Sequence, residues 1–153
     1  MKNRIATFKD FVGELKVTYK RTKLPTVKIK SAEDVQEFMY PFFDEIMDDH
    51  EEVKVLHLNR SHHVVNIHHV SSGSDGASIV PIKDIIRQAI LIKTFSIVLL
   101  HNHPSSNLKP SKADIQISNK LKKAAELFEI QLIDSVILTR ESFTSLSHEN
   151  LLE

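Results

Sequence analysis

His101 and His103 stand directly after the apolar run Ile97-Val98-Leu99-Leu100. Such a run, rich in β-branched side chains, is typical of a strand that is buried on both faces. Because residues i and i+2 of an extended backbone point to the same face, both imidazoles are directed to one point at the end of this strand. Pro104 then ends the strand. The sequence therefore predicts two converging imidazoles where the chain leaves the core.

An acidic residue follows on a predicted helix that begins after Ser111. Asp114 lies three residues before Ile117, the first residue of an apolar stripe, so its carboxylate is in line with the buried side of that helix. Two neutral imidazoles and one carboxylate suit zinc, and three protein ligands leave a fourth position for water, as in catalytic zinc sites. We therefore predict a zinc site formed by His101, His103 and Asp114. The stripe itself consists of Ile117, Leu121, Ala124, Ala125 and Phe128.

Two simpler interpretations stand beside the metal site. Ser111 and Asp114 have the spacing of a capping box, in which a hydroxyl and an acidic side chain close the first turn of a helix. A His-x-His sequence at a strand end also occurs as a hydrogen-bonded surface pair. Cap and ligand are compatible, because the hydroxyl and the carboxylate can do separate jobs. We interpret the following histidines as bystanders rather than ligands: His57, His62, His63, His68, His69 and His148.

The histidine motif and its surroundings resemble a known family. The segment His101-Asn102-His103-Pro104-Ser105, followed by Pro110-Ser111 and Asp114, is similar to the core motif of the JAMM (MPN/JAB) metalloproteases. More narrowly, it resembles the RadC-like JAB proteins of bacteria. The resemblance implies a JAB/MPN fold of cytidine-deaminase-like architecture. It extends from about Lys16 to the end of the chain and includes Glu51–Arg60, Ile133-Asp134 and Ser145–Glu149.

The resemblance also implies a mechanism and roles for two further residues. In the family, a glutamate at the start of a strand acts as the general base, and counting back from Asn59 places Glu51 there, with Glu52 as the minor alternative. The family's serine, here Ser111, hydrogen-bonds the tetrahedral oxyanion. The implied function is zinc-dependent hydrolysis of a peptide or isopeptide bond in a protein or peptide substrate. Asn102 points away from the histidines on a regular strand, so we assign it no catalytic role.

Two other classes of function stand beside this one. The first is a non-catalytic interaction module that keeps the fold, and the second is an accessory protein associated with DNA repair. The family's longer members carry an N-terminal helix-hairpin-helix DNA-binding domain, and we expect none in this chain. Departures from the family pattern leave substrate contacts open: Ser106 and Ser135 replace a family glycine and histidine, and the Ser71–Gly76 loop keeps only part of its pattern.

Composition narrows the class of protein further. The 153 residues are 41% hydrophobic and 26% charged, which is typical of a single globular domain. A net charge of zero gives no support for nucleic-acid binding by bulk electrostatics and leaves a local basic patch open. Without cysteine, a zinc ion must rest on histidine and carboxylate ligands. We find no signal peptide and no membrane-spanning run, and we expect a cytoplasmic protein of undetermined oligomeric state.

Alternating helical and strand patterns predict an α/β fold with a mixed central β-sheet flanked by helices. We predict an N-terminal extension over residues 1–30 that packs on a RadC-like JAB/MPN domain over residues 31–153. Within the extension, Phe8 and Phe11 suit a short helix, and residues 15–19 alternate like an edge strand. At the other end, Ser147 is expected to cap a short terminal helix.

Overall fold

The structure is a computed structural model that describes residues 10–73 and 80–153. These residues contain three helices and five strands. In chain order they are α1 (Ala32–Phe43), β1 (Glu52–Leu58), β2 (Val64–Ser72), α2 (Ile82–Leu91), β3 (Ser96–Asn102), α3 (Lys112–Glu126), β4 (Gln131–Leu138) and β5 (Phe143–Ser145).

The five strands form one sheet in the order β2-β1-β3-β4-β5. β1 is antiparallel to both of its neighbours, β4 and β5 are antiparallel, and β3 and β4 are parallel. A parallel pair needs a crossover connection, and α3 lies in the segment between β3 and β4. The predicted α/β fold with a mixed sheet and flanking helices is therefore confirmed.

Both faces of the sheet are covered, each by its own hydrophobic core. On one face α1 packs against Val98 and Leu100 of β3, and on the other face α2 and α3 pack against Ile97 and Leu99. The apolar run before the histidines thus alternates between two cores, which explains why it lacks polar residues. The same alternation carries His101 to the α3 side of the sheet and Asn102 to the α1 side.

The C-terminal end of the chain differs from the prediction. Residues 146–150 form turns rather than a helix capped by Ser147, so that prediction is wrong. The Ser147 amide donates to the Asp134 carboxylate, and the Leu151 amide donates to the Leu146 carbonyl. Asn150 has a φ of 57°, in the left-handed region, which prevents the turn from continuing as a helix.

The N-terminal segment follows the outer edge of β2. Residues 11–27 contain no helix or strand, so the predicted edge strand over residues 15–19 is absent. The short helix predicted around Phe8 and Phe11 is also absent from the described residues, and Phe8 itself lies outside them. Val64 donates its amide to the Val27 carbonyl, and Lys28 forms an isolated bridge with His63. The division of the chain at residue 30 stays a prediction. Among the described helices, none combines the length and apolar character needed to cross a membrane.

Candidate metal centre

The two motif histidines converge at the end of β3. His101 is the penultimate residue of the strand and is buried, and His103 follows directly after it. Their Nε2 atoms lie 3.0 Å apart. The Nδ1 atom of His103 lies 2.6 Å from the Asn107 carbonyl oxygen, which can only accept a hydrogen bond. The neutral His103 ring therefore carries its proton on Nδ1 and leaves the Nε2 lone pair directed at the site.

Asp114 reaches the same point from the first turn of α3. Its Oδ1 atom lies 3.3 Å from the Nε2 atom of His101, and its Oδ2 atom lies 3.3 Å from the Nε2 atom of His103. Burial alone would raise the pKa of the Asp114 carboxyl, but contacts with both imidazoles outweigh it and hold the pKa well below its usual range. In the protonated form of His103, Nε2 would donate to Asp114, and this contact raises the pKa of His103.

Asp114 also closes the helix N-terminus. The Ser111 amide donates to Asp114 Oδ2 over 2.9 Å, and the Asp114 amide donates to Ser111 Oγ over 3.0 Å. This is a complete capping box, and the same carboxylate faces the histidines. The capping-box interpretation of Ser111 and Asp114 is therefore confirmed, and metal binding by Asp114 stays a prediction. Because Ser111 Oγ accepts in the cap, its hydroxyl proton can be donated elsewhere.

The donor atoms of these side chains fit a tetrahedral zinc ion. Ligand atoms about 2.0–2.2 Å from such an ion lie roughly 3.3–3.6 Å from one another. The two histidine Nε2 atoms lie 3.0 Å apart, and each lies 3.3 Å from a different oxygen of the Asp114 carboxylate, distances close to that spacing. The donor types, imidazole nitrogen and carboxylate oxygen, are also those that zinc accepts in sites without cysteine.

Glu51 lies beside the histidines, just before β1 begins. Its Oε1 atom is 4.0 Å from His101 Nε2, and its side chain is 13% exposed. Glu51, His101 and His103 each offer a ligand atom within 4.8 Å of the others, so the carboxylate is close enough to bind a metal or to exchange a proton at the site. Burial raises the pKa of Glu51, and the two histidines offset that rise only in part.

Glu52 faces a different environment. One carboxylate oxygen lies 2.7 Å from His50 Nε2, and the other lies 3.1 Å from Lys54 Nζ. Of the two candidate glutamates, the structure therefore brings Glu51 to the two motif histidines and leaves Glu52 in a part-buried ion pair with Lys54. Whether Glu51 acts as a base stays a prediction.

A groove of about 520 Å³ opens over the site. Glu51, His103, Ser111 and Asp114 line it, together with residues of the loop between β3 and α3. Ser135, whose role the sequence left open, lies elsewhere: its hydroxyl is buried 2.8 Å from that of Ser118 beneath α3. Of the Ser71–Gly76 loop, residues 74–76 lie outside the described residues.

Asn102, to which the sequence analysis assigned no catalytic role, contacts the segment before β1. Its side chain is fully buried on the α1 side of the sheet, where it hydrogen-bonds three main-chain groups of the segment that carries Glu51. The alternation of a strand gives its direction correctly. One feature of the sequence could have indicated its buried contacts: Asn102 is a polar residue at a position where the strand pattern continues a buried face.

The mixed sheet with flanking helices, and the His-x-His motif at the end of its central strand β3, are consistent with the JAB class of α/β domains. Residues 29–151 match the family described as the RadC-like JAB domain, and this chain belongs to that family, which is related to the JAMM superfamily. The predicted resemblance is thereby confirmed.

Curated relatives agree with this assignment. A protein of Chlorobium luteolum is 33% identical over 92% of this chain and 62% of its own length. A protein of Flavobacterium johnsoniae is 34% identical over 81% of this chain and 53% of its own length. A protein of Clostridium tetani is 37% identical over 67% of this chain and 45% of its own length. All three bear the name UPF0758 protein, which states no activity. The chain thus spans about half the length of the curated relatives it matches.

Proposed function

We propose that this protein is a zinc-dependent hydrolase of the JAMM type that cleaves a peptide or isopeptide bond. The observation that carries the proposal is the convergence of His101, His103 and Asp114 within 3.3 Å of one another, beside a groove that His103 and Asp114 line. Glu51 beside them supplies a carboxylate that a closed structural metal site would not need. The substrate class is a protein or peptide.

The side chains would divide the work as follows. His101, His103 and Asp114 would hold a zinc ion, which would supply the Lewis acidity that lowers the pKa of water and polarises a carbonyl oxygen. An aspartate carboxyl is ionised near neutral pH, so Asp114 would offer a charged ligand. The Asn107 carbonyl keeps His103 in the tautomer whose Nε2 atom is free to bind.

Glu51 would move the proton. The attacking water gives a proton to the Glu51 carboxylate, and Glu51 returns it to the nitrogen of the leaving amine, so that the side chain ends in its starting protonation state. Burial raises the pKa of Glu51 from its ordinary value towards the operating pH, which is the direction that favours a carboxyl group acting first as a base and then as an acid.

Ser111 would stabilise the developing oxyanion. Its hydroxyl lines the groove and already accepts the Asp114 amide, so the hydroxyl proton is available for a substrate oxygen. The capping box fixes the Ser111 backbone, and therefore the hydroxyl is held in place without a substrate.

The proposal is tested by a cleavage screen on the purified chain. Internally quenched peptides and a lysine ε-linked isopeptide are incubated with protein supplied with zinc, with protein treated with chelator, and with protein to which zinc is restored. We expect hydrolysis that chelator removes and zinc returns, and no hydrolysis by a His101→Ala/His103→Ala double variant. Absence of cleavage by a zinc-loaded wild type would favour the interaction module instead.

A further inference from the structure

We propose that Asn102 is a positioning residue that fixes the main chain of Glu51 relative to the two histidines. This inference rests on the proposed function for its catalytic consequence, but its structural part can be tested without any substrate. Asn102 lies between His101 and His103 in the chain. In this tripeptide the two histidines would bind the metal, and Asn102 would fix the position of the base, Glu51.

The Asn102 side chain uses both its donor nitrogen and its acceptor oxygen on the segment around Glu51. Its carbonyl oxygen accepts the Glu52 amide over 2.8 Å. Its amide nitrogen donates to the His50 carbonyl over 2.9 Å and to the Met47 carbonyl over 3.1 Å. The His50 carbonyl and the Glu52 amide belong to the two peptide groups that flank Glu51, so a single side chain restrains the backbone on both sides of it.

The position of Asn102 in the sheet explains why a side chain does this. β1 and β3 pair from Val53 and His101 onward, and Glu52 is the next residue out from that pairing. The Asn102 carbonyl oxygen accepts the Glu52 amide where main-chain pairing has ended. On the opposite side, the Gly73 amide donates to the Glu51 carbonyl over 2.8 Å. The peptide group between Glu51 and Glu52 is therefore held through both its carbonyl and its amide.

Burial makes this clamp rigid. The Asn102 side chain is 0% exposed, and buried polar groups that lose their partners destabilise the structure. Glu51 precedes β1 and lies in a connecting segment, where a backbone without such partners would move more freely. A shift of about 1 Å in a catalytic group can reduce a rate by roughly 100-fold, so the clamp would matter for a base that must reach a water molecule.

Asn119, which is half-buried, offers a control that is matched in its hydrogen bonds. On α3, its amide nitrogen donates to the Ile115 and Leu151 carbonyls, each over 3.0 Å, and its carbonyl oxygen accepts the Glu153 amide over 2.7 Å. Asn119 therefore makes the same three kinds of main-chain hydrogen bond as Asn102 while tethering the C-terminus. Asn119→Ala reports the cost of losing such a clamp away from Glu51.

The experiment compares wild type, Asn102→Ala and Asn119→Ala by amide hydrogen exchange measured with NMR. In Asn102→Ala we expect the Glu52 amide to exchange about tenfold faster or more, with the β3 amides still protected. Asn119→Ala should leave the Glu52 amide unchanged. An unchanged Glu52 exchange rate in Asn102→Ala would overturn the clamp. If Asn102→Ala does not fold, the exchange of the Asn102 side-chain amide protons is measured in the wild type instead. Exchange as fast as that of the side-chain amide of exposed Asn107 would contradict the clamp.

The catalytic part is tested with the quenched peptide that wild type cleaves. In Asn102→Ala we expect kcat to fall by roughly 10- to 100-fold while KM and zinc content stay within about twofold of wild type. An unchanged kcat together with faster Glu52 exchange would remove the positioning role. A wild type that cleaves no peptide would count against the proposed function alone, because the exchange experiment still decides whether the clamp exists.

Discussion

Asp114 combines a helix cap with a position beside the two motif histidines, two features that a sequence-based interpretation usually treats as rivals. Its carboxylate accepts the Ser111 amide in the capping box and faces both histidine Nε2 atoms. The geometry allows this because Oδ2 holds the cap while Oδ1 lies near His101. Substitutions at the two ends of the box should therefore separate helix capping from metal binding.

Asp114→Asn should weaken zinc binding while keeping the helix cap. The amide oxygen can still accept the Ser111 amide, but the negative charge that a zinc ligand supplies is lost. We expect zinc affinity to fall by more than about 100-fold, beyond the effect of losing a supporting partner. Ser111→Ala should do the reverse, costing about 1 kcal/mol of unfolding free energy with zinc affinity retained. Competition with a chromophoric chelator and urea unfolding measure the two effects, and equal zinc affinity in Asp114→Asn would contradict the ligand assignment.

At the level of elements, the sequence predicts the parts whose patterns are local. The four apolar residues before His101 indicated β3, and the stripe after Asp114 indicated α3, since both patterns reflect burial along one element. The contacts of Asn102 with Met47 and His50 could not be predicted, because they join segments that are 55 and 52 residues apart in the chain. The terminal helix was wrong because Asp134 and Asn150 favour a turn there.

His57 lies within an element and gives the fold a pH dependence. It is fully buried on β1, where its Nδ1 atom lies 2.9 Å from Thr94 Oγ1 and burial lowers its pKa to about 3. Because the folded pKa lies below the unfolded value, the unfolded chain binds more protons between these two pH values. The contribution of His57 to stability is therefore complete above about pH 6.5 and is lost progressively as the pH falls.

We expect the unfolding free energy to fall by roughly 2 kcal/mol between about pH 7.5 and about pH 5 on account of this residue. Urea unfolding at both pH values measures the change. His57→Gln should flatten this dependence, whereas His148→Gln, at an exposed position, should keep it. Identical pH dependence in wild type and His57→Gln would show that the buried imidazole does not couple folding to pH.

At the scale of the whole molecule, the core does not depend on the metal site. Hydrophobic clusters cover both faces of the sheet, and the candidate ligands lie at one end of β3 rather than within either cluster. This arrangement differs from small zinc domains, in which the metal replaces a hydrophobic core. The chain spans about half the length of its curated relatives, so the partners and substrates of a full-length protein are proposals that rest on this one domain.

Chelation should therefore lower the melting temperature without unfolding the protein. Removing a bound ligand subtracts only its binding contribution, so we expect a decrease of several degrees and a melt that stays cooperative. Differential scanning calorimetry with and without chelator measures the shift, and the His101→Ala/His103→Ala variant, which should bind no zinc, is expected to show none. A wild type that loses its cooperative transition in chelator would indicate a structural zinc instead.

In the proposed mechanism, this domain is a zinc hydrolase that uses Glu51 as its base. Turnover and zinc content, measured on the same samples of wild type, Glu51→Gln and Glu52→Gln, test this mechanism directly. A glutamine in place of Glu51 would keep the size and hydrogen-bonding reach of the side chain but could not accept a proton. We expect Glu51→Gln to retain about one zinc per chain and to lose roughly 10²–10⁴-fold in kcat, while Glu52→Gln keeps most of its activity. Full activity in Glu51→Gln, with zinc bound, would contradict the proposed mechanism.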